Sequence, residues 1–253
     1  MSSVKISYII ITWNGLAYLQ RLLASMTRQL QRPDVEVVLC DNGSTDGTAE
    51  FIRTSYPAIR YIPLPENKGV AYARNRALEQ AKGQYFFIVD NDLELTDEAV
   101  VTLEQYMDTH PKAGLVAPSL VYPDGTLQGS AKTYPGLLRK LRNVLFPHRR
   151  TMDYAAQLQA ATPFEPEYVI GACQLVRAEA LQAVGLLDEH IFYGPEDADF
   201  CIRLHKNGWQ VICLPSVHVM HHCQRMTTHR PLSPIGRAHI KALLYFYRKH
   251  RRL

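Results

Sequence analysis

The chain has 253 residues, 47% apolar and 21% charged, ordinary proportions that exclude a disordered, collagen-like or disulfide-scaffold protein. Its formal net charge of +4 is unevenly spread: residues 1–199 hold 18 basic and 24 acidic side chains, whereas ten Lys or Arg and no Asp or Glu follow Asp199. The apolar run at 6–11 is far short of the roughly 18–20 residues that cross a bilayer and lacks the lead-in of a secretory signal, and five cysteines without a CxxC fit reduced thiols, so a cytoplasmic chain is expected.

The first ninety residues alternate between two periodicities. Residues 4–11 are a β-branched run, and 15–28 carry Leu16, Leu19, Leu22, Leu23 and Met26 at helical spacing. A strand over 35–40 precedes a helix bearing Ala49, Phe51 and Ile52, for which Ser44, Thr45 and Asp46 offer N-caps. Strands at 59–62 and 85–89 flank an Ala-rich helix over 70–81. The spacing then predicts a helix at 96–109 and a strand at 113–121, a long excursion rich in Pro, Gly and basic residues at 123–166, and a strand at 168–177. Helices at 178–184 and 196–206, short strands at 210–213 and 217–220, and a basic helix at 234–250 complete the chain. Such alternation implies an α/β fold with a mostly parallel central sheet flanked by helices. Right-handed crossovers line the carboxyl ends of the strands along one edge, where such sheets bind ligands. No repeat, low-complexity tract or linker divides the chain, so one domain over 1–253 is expected.

Polar clusters follow each of the first four strands. Asp90-Asn91-Asp92 ends an apolar strand with two carboxylates, hard oxygen ligands that suit magnesium or manganese holding a diphosphate, or else an Asx turn. Asp41 also follows a buried run and could accept the imide N–H of a uracil or thymine ring, since an ionised carboxylate only accepts; helix capping is the alternative. Arg74, in the second turn of its helix, could reach phosphates at the helix N-terminus or lie on a solvated face; Val70 and Leu78 give it no local ion pair. Glu196, Asp197 and Asp199 open a helix, where they complement its dipole or supply one general base. His218, His221 and His222 match no structural zinc spacing, but one of them could reach a metal already held by carboxylates.

Seven segments in order resemble the family 2 glycosyltransferases and their glycosyltransferase A fold, most closely the rhamnosyltransferase-like branch that builds bacterial surface polysaccharides. They are residues 10–14, 41–47, 67–75 and 90–92, then Gly171-Ala172-Cys173, residues 185–189 and residues 196–203. The resemblance implies inverting, metal-dependent transfer from a nucleotide-sugar donor (thymidine-diphosphate rhamnose or a uridine-diphosphate hexose) to a glycan or lipid-linked glycan acceptor. By position Thr12, Asn14 and Asp41 would hold base and ribose with Arg74 nearby, Asp90 and Asn91 would lie on the donor, and Asp92 with His221 would ligate Mn or Mg. Asp197 matches the catalytic base and Glu196 its partner near the acceptor. Residues 1–95 would then be the nucleotide-sugar half, 96–230 the acceptor and catalytic half, and 231–253 a basic C-terminal helix. Cys223-Gln224-Arg225 replace the small residues usual after the metal His. The resemblance implies no nucleic-acid partner. The mixed apolar and basic stretch at 137–152 and the basic final helix could rest on the inner face of a membrane, or else serve as an acceptor loop with a solvated face. The rival readings are a nucleotidyltransferase, for which the Gly-rich phosphate loop is missing, and a non-catalytic nucleotide-sugar binder.

Overall fold

The structure, a computed structural model, describes residues 4–136, 152–223 and 233–250. Strand β1 (Ile6–Thr12) is buried on both faces, as befits a parallel strand whose run from Ile6 to Ile11 is apolar but for Ser7, which donates to Glu36. It is followed by α1 (Leu16–Ser25), which buries Leu19, Leu22 and Leu23. Next come β2 (Val35–Asp41), α2 (Thr48–Ser55), β3 (Arg60–Pro63), α3 (Val70–Leu78) and β4 (Tyr85–Asp90). The chain continues through β5 (Leu93–Glu94), α4 (Asp97–Thr109), β6 (Ala113–Val121), β7 (Leu127–Gln128), β8 (Ala131–Lys132) and α5 (Ala155–Gln159). After β9 (Tyr168–Val169), β10 (Cys173–Arg177), α6 (Ala178–Val184), α7 (Glu196–Lys206) and β11 (Gln210–His221), α8 (Pro234–Lys249) ends the described chain.

One sheet organises these elements, in the order β3-β2-β1-β4-β10-β6-β11-β5, with β7 paired to β6. The pairs β3–β2, β2–β1, β1–β4 and β6–β11 are parallel, while β10 runs antiparallel to both of its neighbours. Alternate residues of β1 fill opposite cores: Tyr8 and Ile10 pack with Leu19, Phe87 and Leu103, and Ile9 packs with Val38, Ala77 and Phe200. Each such buried side chain contributes roughly 1.5–3 kcal/mol relative to exposure. The carboxyl ends of β1, β2 and β4 therefore stand side by side, with Thr12 in register with Asp41 and Ile11 with Asp90.

Four local expectations differ from what is found. The strand expected over 168–177 is split into β9 and β10, because Gly171 leaves the ladder to bond Arg74 and Asp197. The two short strands at 210–213 and 217–220 are one strand, β11, irregular between Leu214 and His218 where Pro215 cannot donate. Helix α2 starts only at Thr48 behind left-handed Gly47. Asp46 caps it from outside through the Thr48 N–H and also receives the Leu16 N–H that opens α1. The 123–166 excursion contains β7, β8 and α5, pieces too short to carry a period. Most of the 137–152 stretch and residues 224 and 225 lie outside the described residues.

Candidate active site

At the carboxyl edge lies a cavity of about 410 Å³, lined among others by Thr12, Trp13, Arg74, Gly171, Tyr193 and Asp197. Its near wall is made by the loops after β1 and β4, where the Asn91 side-chain amide donates to Thr12 Oγ1 at 2.9 Å. Gly15 permits that bond: a Cβ there would stand 2.2 Å from Asn91 Nδ2. Asn14 and Asp41 do not line the cavity. Asn14 is exposed, and its Oδ1 accepts the Thr45 N–H, bracing the loop after β1 against the loop after β2. Asp41 is buried and accepts from the Ser44 N–H and the Tyr61 hydroxyl.

Arg74 corrects the sequence expectation. It is neither solvated nor aimed at the N-terminus of α3; it is 3% exposed, and its partners come from distant segments. One guanidinium nitrogen donates to Asp90 Oδ1 at 2.6 Å and to the Gly171 carbonyl at 2.8 Å, and the other reaches Glu196 Oε1 at 3.2 Å. Burial removes the solvated alternative, and Arg74, which also lines the cavity, is a counter-ion to Asp90 and Glu196 there. Gly171 is required here, since a Cβ would fall 2.6 Å from the Arg74 guanidinium.

The first turn of α7 separates its three acids. Glu196 faces Arg74, and its Oε2 accepts the Gly194 N–H. Asp197, half-buried in the cavity wall, accepts N–H bonds from Gly171 at 3.1 Å and Ala198 at 2.7 Å. Burial, with the Glu196 charge beside it, pushes the Asp197 carboxyl up to about 7, against the pull of those amides and Arg74. Asp199 points away: it makes an i, i+4 pair with Arg203 at 2.9 Å and also holds Lys249 and His250.

Across the cavity, Asp90, Asp92 and His221 bring one ligand atom each within 4.8 Å of the others. His221 Nε2 lies 3.2 Å from Asp92 Oδ1, and its Nδ1 lies 2.8 Å from Gln128 Oε1. An amide oxygen only accepts, so Nδ1 carries a proton, and Nε2 is the nitrogen left facing the carboxylates, where it could join them on a cation. The rival histidines are elsewhere: His218 is exposed, and His222 bonds Glu94 at 2.6 Å. Two carboxylate oxygens and one imidazole nitrogen form a donor set that accommodates manganese or magnesium. Gln128 was not foreseen; it stands alone within the excursion, with no pattern around it to signal it. The bracing roles of Gly171 and Asn75 were also hidden, although both stood in recognised segments. Asn75 exchanges hydrogen bonds with the Leu187 backbone in both directions.

The family model for glycosyl transferase family 2 matches residues 7–185. The chain belongs to that family. This family member is 31% identical over 95% of its length to the N-acetylglucosaminyl-diphospho-decaprenol L-rhamnosyltransferase of Mycobacterium tuberculosis, covering 83% of that protein. It is 25% identical over 86% of its length to the O-antigen biosynthesis protein RfbC of Myxococcus xanthus, but spans only 17% of it. Among solved structures it resembles the mannosyltransferase PcManGT of Pyrobaculum calidifontis in complex with GDP-Man and Mn2+, with TM-score 0.64 and 22% identity. That match covers 89% of this chain and 59% of the other. GalNAc-T7 with UDP, GalNAc and Mn2+ aligns with TM-score 0.63 and 18% identity over 87% of this chain and 44% of the other. These likenesses show the glycosyltransferase A fold.

Proposed function

We propose that this family 2 glycosyltransferase moves a sugar, with inversion, from a nucleotide-diphosphate donor to a hydroxyl of a lipid-diphosphate-linked glycan. The observation that carries the reading is the placing of Asp197 in one cavity with the Asp90, Asp92 and His221 group. The identity shared with the mycobacterial rhamnosyltransferase over nearly the whole chain supports thymidine-diphosphate rhamnose as the first donor to test, ahead of uridine-diphosphate hexoses. It also supports a polyprenyl-diphosphate acceptor and the assembly of a surface glycan.

In this reading Thr12 and Asn91 hold the ribose side of the donor, with Asp41 behind them on the neighbouring strand. Asp92 and His221 would hold a divalent cation, with Asp90 beside them. Such a cation, when bound, supplies positive charge next to the departing diphosphate. Asp197 takes the proton from the acceptor hydroxyl as the new oxygen–carbon bond forms and the bond to the diphosphate breaks. The Gly171 and Ala198 amides bond one oxygen each of Asp197 and so hold the orientation of its carboxylate. One displacement inverts the sugar carbon, and no carboxylate nucleophile is needed. Arg74 balances Glu196 and Asp90, so that donor and acceptor carboxylates share one buried cation.

A thermal-shift panel of nucleotide sugars with manganese or magnesium tests the donor assignment, because a ligand that binds only the folded state raises its melting point. The reading expects a rise with a nucleoside-diphosphate sugar and divalent cation together; no rise with any member of the panel contradicts it.

A further inference from the structure

We infer that the outer face of α8 is a docking surface for an anionic lipid membrane. Arg237, Ile240, Lys241, Leu244 and Arg248 are the exposed residues along this helix that carry large apolar or basic side chains and make no ion pair among the described residues. At 3.6 residues per turn these five fall within an arc of about 100°, opposite Ala242, Phe246 and His250, which are buried. Ile240 is 47% exposed and Leu244 61%, the two most exposed large apolar side chains among the described residues. Two apolar side chains flanked by three cations, with no acid anywhere after Asp199, match an interfacial helix with its axis in the plane of a charged headgroup layer.

The rest of the helix is locked to the protein. Lys249 bonds Asp188 at 2.7 Å and Asp199 at 2.6 Å, His250 bonds Asp199 at 2.8 Å, and Tyr245 donates to Asp188 at 2.9 Å. Two carboxylates therefore consume the inward cations, and the outward three are left to face solvent. Farther up the helix, His239 Nδ1 lies 3.0 Å from the Tyr193 carbonyl and 3.2 Å from that of Gly194, both residues of the cavity wall. A membrane that seats this face is thereby held one layer of residues from the site, where a lipid-diphosphate acceptor would have to enter. This inference rests on the proposed lipid-linked acceptor for its purpose, but not for its test.

Two other occupants fit the face less well. A second copy of the chain would set three cations against three, over an apolar patch of two side chains that is too small to hold a dimer. Nucleic acid would use the cations but leave Ile240 and Leu244 against phosphates.

Vesicle sedimentation without donor or acceptor separates docking from transfer, so failure of either leaves the other standing. The full chain is expected to pellet with vesicles of phosphatidylcholine and phosphatidylglycerol, to remain in solution with phosphatidylcholine alone, and to release in high salt. The triple variant Arg237→Gln, Lys241→Gln, Arg248→Gln should lose about a hundredfold in partitioning, at about fivefold per cation. Ile240→Ser with Leu244→Ser should also weaken it, while both variants keep the wild-type melting temperature and donor binding. Equal binding to neutral vesicles, undiminished binding by the triple variant, a dimer in sedimentation equilibrium, or tighter binding of duplex DNA than of anionic vesicles at the same salt would each overturn the inference.

Discussion

The Arg74 guanidinium lies 3.2 Å from the carboxylate of Glu196, a residue 122 positions away, while its other nitrogen holds Asp90. A buried cation between two acids means that removing it leaves uncompensated charge, which costs about 3–5 kcal/mol. Arg74→Ala is therefore expected to lower the melting temperature markedly and to abolish transfer. Arg74→Lys, which keeps the charge but cannot span both acids, should fold and yet lose most of its activity. Thermal denaturation alongside a transfer assay checks this, and a fully active Arg74→Lys would show that the bridge is dispensable.

Asp197 must be ionised to accept a proton, and its carboxyl is raised to about 7 by burial and Glu196. Transfer efficiency in the free enzyme should thus climb tenfold per pH unit up to about 7, then level. An ordinary carboxylate would already be level by pH 6. A kcat/KM profile over pH 5–9 reads this directly, and a flat acid limb counts against Asp197 as the base.

The same shift has a consequence for stability. A carboxyl with a raised folded value favours the folded state while protonated, and that contribution is lost as pH rises through about 7. Asp197→Asn, neutral throughout, should therefore melt higher than the wild type at pH 8, with the difference shrinking toward pH 5. Parallel melting curves at both pH values test it; a variant that is less stable at pH 8 would refute the burial argument.

Gln128 fixes the tautomer of His221. Gln128→Leu is expected to weaken manganese binding 10–100-fold, and Gln128→Glu, which still accepts from Nδ1, should largely preserve it. Manganese titration followed by electron paramagnetic resonance, without donor, distinguishes this from a packing defect. Equal affinities in both variants would remove Gln128 from the cation site.

Asp188 and Asp199 dock the C-terminal helix. Burial is the largest single influence and would raise both carboxyls, but their partners together outweigh it, Lys249, His190 and Tyr245 at Asp188 and Lys249, His250 and Arg203 at Asp199, and hold them below the ordinary value of 3.8. Stability gained this way is present above that value and lost as pH falls through the lower folded values. Amide exchange at pH 3 should expose α8 before the strands β1, β2 and β4, whereas uniform exposure of all four elements would contradict this clamp.

The parts of the site legible in the sequence were those written locally. Apolar runs marked β1, β2 and β4, and the polar residues directly after them, Thr12, Asp41 and Asp90, had to fall on the ligand edge once the strands were parallel. What stayed hidden was whatever depends on partners far along the chain. Arg74 looked unpaired because only Val70 and Leu78 were within a helical turn, and its acids arrive from β4 and α7. Asp46 reads as a cap for one helix and serves two. Gln128 sits on a two-residue strand with no periodicity, and its contact with His221 exists only because β7 joins β6 beside β11. Gly171 interrupts a run that is otherwise an ordinary strand, and its reason is a guanidinium recruited from α3.

Inverting transfer with Asp197 as the base is tested most directly by the anomeric configuration of the product. Wild-type protein and Asp197→Asn would be incubated with thymidine-diphosphate rhamnose, a divalent cation and a short-chain polyprenyl-diphosphate glycan, and the new linkage read by nuclear magnetic resonance. The expected result is a linkage opposite to that of the donor from the wild type, and none from the variant, which still binds donor. A retained configuration, or product from Asp197→Asn at the wild-type rate, would contradict it.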